Sequence, residues 1–355
     1  MKQSILIGKR HLLFIAFLAS TALTSCLKDN KHFRFFNDKD EFFHPGKPIV
    51  LIAGFETKTG QNGIAKFWIN GDEVPLSDGT NSATANSIFA SSNAIYTCGS
   101  DGGPVYWQNN KEKKLPTTSE FASANSIAES CGNVYVAGID GNSAVYWKNG
   151  SEVFLDVTDA YGSYPDAGAY SIFITGNDIY IAGFHGPNAV YWKNGVEVYL
   201  TTNGLIGFGS YVANSISVSG GNVYAVGNAF IEGATANIGY YWVNGTNEIA
   251  SLDHGNSDGI EMNSIFTLGS NVYIAGNGVK LGIPNTYTGA YWVNASLNTL
   301  SSNSSNSAPS GIFATMKDVY VSGHDGNSAV YWKNGSEIIL SDVANNAAAN
   351  SIYVK

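Results

Sequence analysis

Ala144-Val145-Tyr146-Trp147-Lys148-Asn149-Gly150 is the stretch on which the reading of this chain turns. Its tryptophan is one of seven, Trp68, Trp107, Trp147, Trp192, Trp242, Trp292 and Trp332, each closing a version of the same motif. Successive differences are 39, 40, 45, 50, 50 and 40 residues, the range of a repeated supersecondary unit.

Working outward from that stretch, the third unit spells out four short segments. Asn125-Ser126-Ile127 opens a strand, Cys131-Gly132-Asn133 turns the chain, and Val134-Tyr135-Val136-Ala137-Gly138 forms a second strand. A loop at Asp140-Gly141-Asn142 leads to a third at Ala144 to Trp147, and Asn149-Gly150 turns into a fourth, Glu152 to Leu155. Asn-Gly accepts the positive φ angles of a type I′ hairpin, and it recurs at 70–71, 194–195, 244–245 and 334–335.

Strands such as Ala-Val-Tyr-Trp are apolar on both faces, so each small sheet needs an apolar neighbour on either side. Nine to thirteen residues separate a fourth strand from the next Asn-Ser-Ile in most units, enough to cross from an outer edge to the next inner strand. These requirements describe an all-β chain folded as a seven-bladed β-propeller of four-stranded blades. The first unit starts at Ile49 without its opening strand, and Asn350 to Lys355 supply a spare one, so the C-terminal strand is expected to complete the first blade.

Asn-Ser-Ile, then Val-Tyr-x-Ala-Gly, then Ala-Val-Tyr-Trp-Lys-Asn-Gly resembles the extracellular HAF-type repeats and, more distantly, kelch-like blades. The resemblance implies a secreted β-propeller and brings no catalytic residues with it. The Asp-box of sialidases and the Trp-Asp pair of WD repeats are both missing.

The amino terminus reads as an export signal. Lys2, Lys9 and Arg10 precede an apolar run from Leu12 to Leu23 that is too short to span a bilayer comfortably. Leu23-Thr24-Ser25-Cys26 resembles the bacterial lipobox, which implies a signal peptide over 1–25 and lipidation at Cys26, with palmitate among the acyl groups. Leu27-Lys28-Asp29 is similar to the surface-export signal of Bacteroidetes lipoproteins, with Asn30 where a second acid is usual. The expected location is therefore the Gram-negative outer membrane, lipid-anchored and facing outward. Residues 26–48 form a tether with five phenylalanines, and residues 49–355 form the propeller. Fully extended, the 22 residues from 27 to 48 reach at most about 75 Å.

Charge narrows the partners. Residues 1–48 hold eight Lys or Arg and four Asp or Glu, leaving 19 − 8 = 11 basic and 28 − 4 = 24 acidic groups, a net of −13, in the rest. Such a body repels phosphate backbones and anionic lipid heads, so no nucleic acid is expected, and the membrane is expected to be met only through the lipid anchor. Cys98 and Cys131 fall at opposite ends of equivalent strands, which leaves both as incidental or buried thiols. A monomer is expected.

No nucleophile motif, phosphate loop or cysteine cluster is present, so no cofactor and no metal site is expected. Asp101, Asp140 and Asp325 stand two residues after their blade's Gly, as do His185 and Glu56, a placement that reads mainly as turn chemistry. His185, His254 and His324 lack ligand spacing. The tyrosines and tryptophans of every blade read as packing between sheets.

Candidate binding residues come from departures from the repeat. The step from Gly to Trp is eight or nine residues in four units, fourteen at Gly54, and fifteen and sixteen at Gly227 and Gly276. The longest crossovers, 156–169 and 201–213, flank the fourth blade. They gather Tyr161, Tyr164, Asp166, His185, Phe208, Tyr211, Phe230, Glu232 and Tyr287 over blades four to six. Aromatic faces beside carboxylates suit sugar rings and hydroxyls. The leading expectation is a binding module for an extracellular glycan or protein. A polysaccharide lyase or glycoside hydrolase using His185 and Tyr164 is the alternative, and a structural role in the envelope is the third.

Overall fold

The computed structural model describes residues 47–155, 166–201, 209–231, 237–247, 258–280, 286–304 and 306–355. All regular structure among them is β, in seven four-stranded antiparallel sheets. Blade I combines β28 (Asn346–Val354) with β1 (Val50–Thr57), β2 (Ile64–Ile69) and β3 (Asp72–Pro75). Blades II to VII follow as β4 to β7 (83–114), β8 to β11 (122–154), β12 to β15 (167–199), β16 to β19 (209–247), β20 to β23 (259–299) and β24 to β27 (307–339). The first strand of each blade touches the first strands of both neighbours, and β28 touches those of blades VII and II, so the ring is closed.

There is no single core. Seven apolar clusters lie between adjacent blades, and each tryptophan packs on the blade before it: Trp147 on Tyr96 and Cys98, and Trp68 on Tyr320. All seven indoles are at most 1% exposed, which bears out packing as their role. Burying one such side chain is worth on the order of 5 kcal/mol before ordering costs. Within the described residues, the indole N–H groups of Trp147, Trp242 and Trp332 also donate to the crossover entering their blade, at Pro116 O, Thr201 O and Ser301 O.

The hairpin asparagine has a second task. In each blade its Oδ1 accepts an N–H from the first or second residue of the second strand, as Asn149 accepts from Val134 at 2.9 Å, while its own φ is positive. Asn109-Asn110 and Asn294-Ala295 adopt the same turn without glycine.

Two strand boundaries differ from expectation. Asn125-Ser126-Ile127 lies in the middle of β8 (Ala122–Ser130) rather than at its start, because the crossover joins the ladder three residues early. The closing strand is likewise longer, Asn346–Val354. Cys98 is, as expected, a buried free thiol, and burial pushes its pKa up. Among the described residues no helix is long and apolar enough to cross a membrane.

The mid-strand position of Asn-Ser-Ile has a cause. The ladder skips one residue in every inner strand, Asn86, Asn125, Tyr170, Asn214, Asn263, Ser310 and Asn350, which marks a β-bulge. The bulge turns the asparagine toward the next blade, where its amide donates to a backbone carbonyl: Asn86 to Ala124, Asn125 to Ala169, Asn214 to Met262, Asn263 to Pro309 and Asn350 to Ala85, at 2.8–3.0 Å. The following serine accepts the N–H of the next blade's isoleucine, as Ser87 does from Ile127 at 3.2 Å. Asn-Ser-Ile is thus a clasp between blades.

Candidate functional site

First and third strands end, and second and fourth strands begin, on one face of the ring, where the short turns lie. The crossovers and the loops between second and third strands make up the other. On that long-loop face the carboxylates two residues after the blade glycine act as staples. Asp140 accepts from Thr118 N, Thr118 Oγ1 and Ser119 N, and Asp325 accepts from Ser302 Oγ, Ser304 Oγ and Asn303 N. Asp101 accepts from Asn81 Nδ2, and Glu56 accepts from Lys66 and Asn345. Each fixes the crossover entering its own blade. Among the described residues no group of three metal-capable side chains occurs.

A fourth-strand glutamate faces several of these staples. Burial raises the Glu152 carboxyl above its ordinary range, and the adjacent Asp140 charge raises it further. Asp140 goes the other way: burial opposes ionisation, but the donors from Thr118 and Ser119 outweigh it. Burial and then the partner charge act on Glu112 beside Asp101 and on Glu337 beside Asp325. Three blades therefore carry an Asp–Glu pair in which the Asp side holds the crossover.

Blade IV breaks this pattern. His185 replaces the aspartate, is 7% exposed, and places Nδ1 2.8 Å from Oε1 of Glu197, with the Tyr199 hydroxyl at 3.4 Å. Tyr170 replaces the clasp asparagine and stacks on Phe184, ring centroids 5.8 Å apart. A charge pair has become an oriented imidazole, and an inter-blade amide has become an aromatic face.

Blades V and VI depart by growing upward. Here β16 (Gly209–Ser219), β17 (Asn222–Ile231), β20 (Gly259–Leu268) and β21 (Asn271–Lys280) have ten or eleven residues, against nine and eight in β8 and β9 (Asn133–Asp140). Between the two blades lies a polar network. Asn237 and Asn277 donate to the two oxygens of Glu261 at 2.7 and 3.1 Å, and Asn228 Oδ1 accepts from Met262 N at 2.8 Å. Asn228 and Asn277 are buried.

Of the residues expected at this sector, four share contiguous backbone. Asp166 O accepts from Gly186 N beside His185, Pro187 O accepts from Tyr211 N, and Tyr211 and Ser210 pair with Ala229 and Phe230. Phe230 is 51% exposed. Tyr211, by contrast, is a core residue, buried edge-on against Tyr240 at 5.6 Å, because its side chain points into the junction with blade IV. Tyr287 is half-buried, pairs with Val279 and bridges to Asn306, on the blade VII side and away from the other four. Tyr161, Tyr164, Phe208 and Glu232, like Cys26 and His254, lie outside the described residues.

The sequence reading missed Tyr170, Glu197, Tyr199 and Glu261. Tyr170 was detectable, as the one aromatic in a column otherwise filled by Asn or Ser. Glu197 occupies a position that is Glu in five blades and therefore looks like ordinary repeat.

No family model and no curated protein matches the chain. Among solved structures it is similar to the computationally designed Ika8 protein, with a TM-score of 0.43 and 14% identity over 85% of this chain and 96% of that one. It is also similar to an exo-1,5-alpha-L-arabinanase from a bovine ruminal metagenomic library, with a TM-score of 0.34 and 10% identity over 61% of this chain and 97% of that one. Architecture of this kind hosts unrelated functions and transfers none.

Proposed function

We propose that this propeller is the binding module of a lipid-anchored outer-membrane protein of Bacteroidetes type, and that its long-loop face takes an extracellular glycan. The observation that carries the reading is the raised ground of blades V and VI, where exposed Phe230 stands on the wall that also holds the Glu261 amide network. An aromatic face covers the apolar side of a sugar ring, and a carboxylate fixed by amides accepts from its hydroxyls.

The test is a glycan-array screen of the full chain with a parallel assay for released product. Saturable binding without turnover is expected, weakened about tenfold or more by Phe230→Ala, as befits an aromatic anchor. Unchanged affinity in that variant would remove the blade V surface from the site. Product release abolished by His185→Ala would instead favour a lyase or glycoside hydrolase, with His185 oriented by Glu197 as the proton-transferring group.

A further inference from the structure

The ring is electrically polarised along its axis, and we propose that its short-turn face rests on the anionic phosphate headgroups of the membrane, turning the long-loop face outward. Three lysines, Lys148, Lys193 and Lys333, end third strands at the short-turn face. Lys111 and Lys317 adjoin its turns, and Lys47 and Lys355 stand where the chain enters and leaves the ring. Four carboxylates accompany these seven lysines: Asp72, Glu129, Asp178 and Asp318. Two of the four are ion-paired with Lys193 and Lys333.

The opposite face carries the Asp–Glu pairs of blades II, III and VII together with Glu261 and Asp342, and among the described residues its exposed lysines are Lys58 and Lys280 at the loops and Lys114 at the end of its fourth strand. Net charge alone predicts a body that keeps off anionic lipid; resolved end by end, such a surface attracts one face and repels the other. Each lysine near such a surface contributes a small increment, and the sum acts as an orienting torque.

Two further observations fit a headgroup layer. The ammonium groups of Lys148, Lys193 and Lys333 lie 5.4, 5.2 and 5.4 Å from the ring centroids of Tyr135, Tyr180 and Tyr320, so aromatic faces hold three cations at this end of the ring. Met316, 90% exposed, protrudes from the same turn as Lys317 and offers an apolar side chain to the interface. The chain also arrives on this face: Ile49 N donates to Lys355 O where β1 and β28 meet, so a tether ending at residue 48 joins the ring from below.

The strength of attachment rests on the proposed lipidation of Cys26, whereas the orientation follows from charge and from where the chain joins the ring. The experiment separates the two. The full chain, purified from membranes, is reconstituted into phosphatidylcholine vesicles with and without phosphatidylglycerol, and its lysines are acetylated and quantified by mass spectrometry. The mass of the Cys26 peptide reports lipidation independently. If Cys26 carries no acyl chains the anchor reading fails, and the same labelling is read on protein held to anionic vesicles by an amino-terminal tag on a chelating lipid. On anionic vesicles Lys148, Lys317 and Lys355 are expected to react roughly fivefold more slowly than in solution, with Lys58 and Lys280 unchanged. Lys148→Glu combined with Lys317→Glu should restore the reactivity of Lys355. Equal protection of both sets, or protection of Lys58 and Lys280 alone, overturns the proposal.

Discussion

At the scale of single residues, the repeat's glycine and asparagine explain each other. A Cβ on the blade glycine would lie 1.8–2.3 Å from a carbonyl oxygen of the inner strand, in all seven blades, and that carbonyl belongs to the residue two before the bulge. The bulge that aims the asparagine at the next blade drives its own backbone into the space above the glycine. Conformational freedom is not the reason for glycine here, since none of these seven has a positive φ. Gly138→Ala is expected to cost about 2–3 kcal/mol, because its Cβ would also sit 2.7 Å from the Trp147 ring. Gly150→Ala, in open space but at φ +84°, should cost about 1 kcal/mol. Denaturant titration of the two variants ranks them, and equal losses would contradict the close-approach argument. Val-Ala-Gly and Asn-Ser-Ile were legible as recurring words, but their mutual dependence was not, because a bulge leaves no mark in hydrophobic periodicity.

At the scale of elements, strand number and order followed from turn chemistry and doubly apolar strands, and the seven hairpins behave as the Asn-Gly pairs require. Strand lengths were read short because crossovers join the ladder through polar residues such as Ser123, which carry no strand signal. The Asp–Glu pairs also belong to this scale, since each forms across strands of one blade. Glu152 binds its proton more tightly in the folded state, so stability falls as pH rises from its ordinary value of 4.5 toward its raised one. Asp140 acts oppositely: its contribution is present above its ordinary value of 3.8 and is lost as pH falls through its lowered one. Glu152→Gln removes the like charge and gives Asp140 a permanent donor, so a gain of about 1 kcal/mol at neutral pH is expected, with a flatter pH profile above 4.5. Asp140→Asn strips the charged acceptor from three donors and should lose about 1–2 kcal/mol. Urea midpoints at pH 7 and pH 5 check both signs.

For the whole molecule, closure was legible at the chain ends, because a unit short of one strand and a tail with one to spare can only be reconciled in a ring. The candidate site was legible less completely. Insertions pointed to blades IV to VI, but the partners of His185 and the Glu261 network depend on which side chains meet across blades. Removing 350–355 takes away four of the eight β28 pairings with β1, both clasp bonds to blade II and the buried Ile352. The melting temperature should fall by about 2–4 °C or less for each kcal/mol lost. A synthetic peptide of residues 346–355 should recover part of the fall, and a truncated chain that melts no earlier than the intact one would refute closure by the tail.

The clasps are not spread evenly around the circle. Between blades VII and I the asparagine is Ser310 and the serine is Gly311, and neither makes the bond found elsewhere. The Ser322 hydroxyl crowds the space a side chain at Gly311 would need and is itself buried without a partner. The covalent chain crosses this junction as it does the others, from the fourth strand β27 (Ser336–Ile339) to the first strand of the next blade, so the missing side-chain clasp is what sets it apart. Under load or heat, the circle therefore has a preferred place to part, and a molecule opened there remains an arc of seven blades, its first sheet still paired to its own tail and leashed to the seventh by residues 340–345.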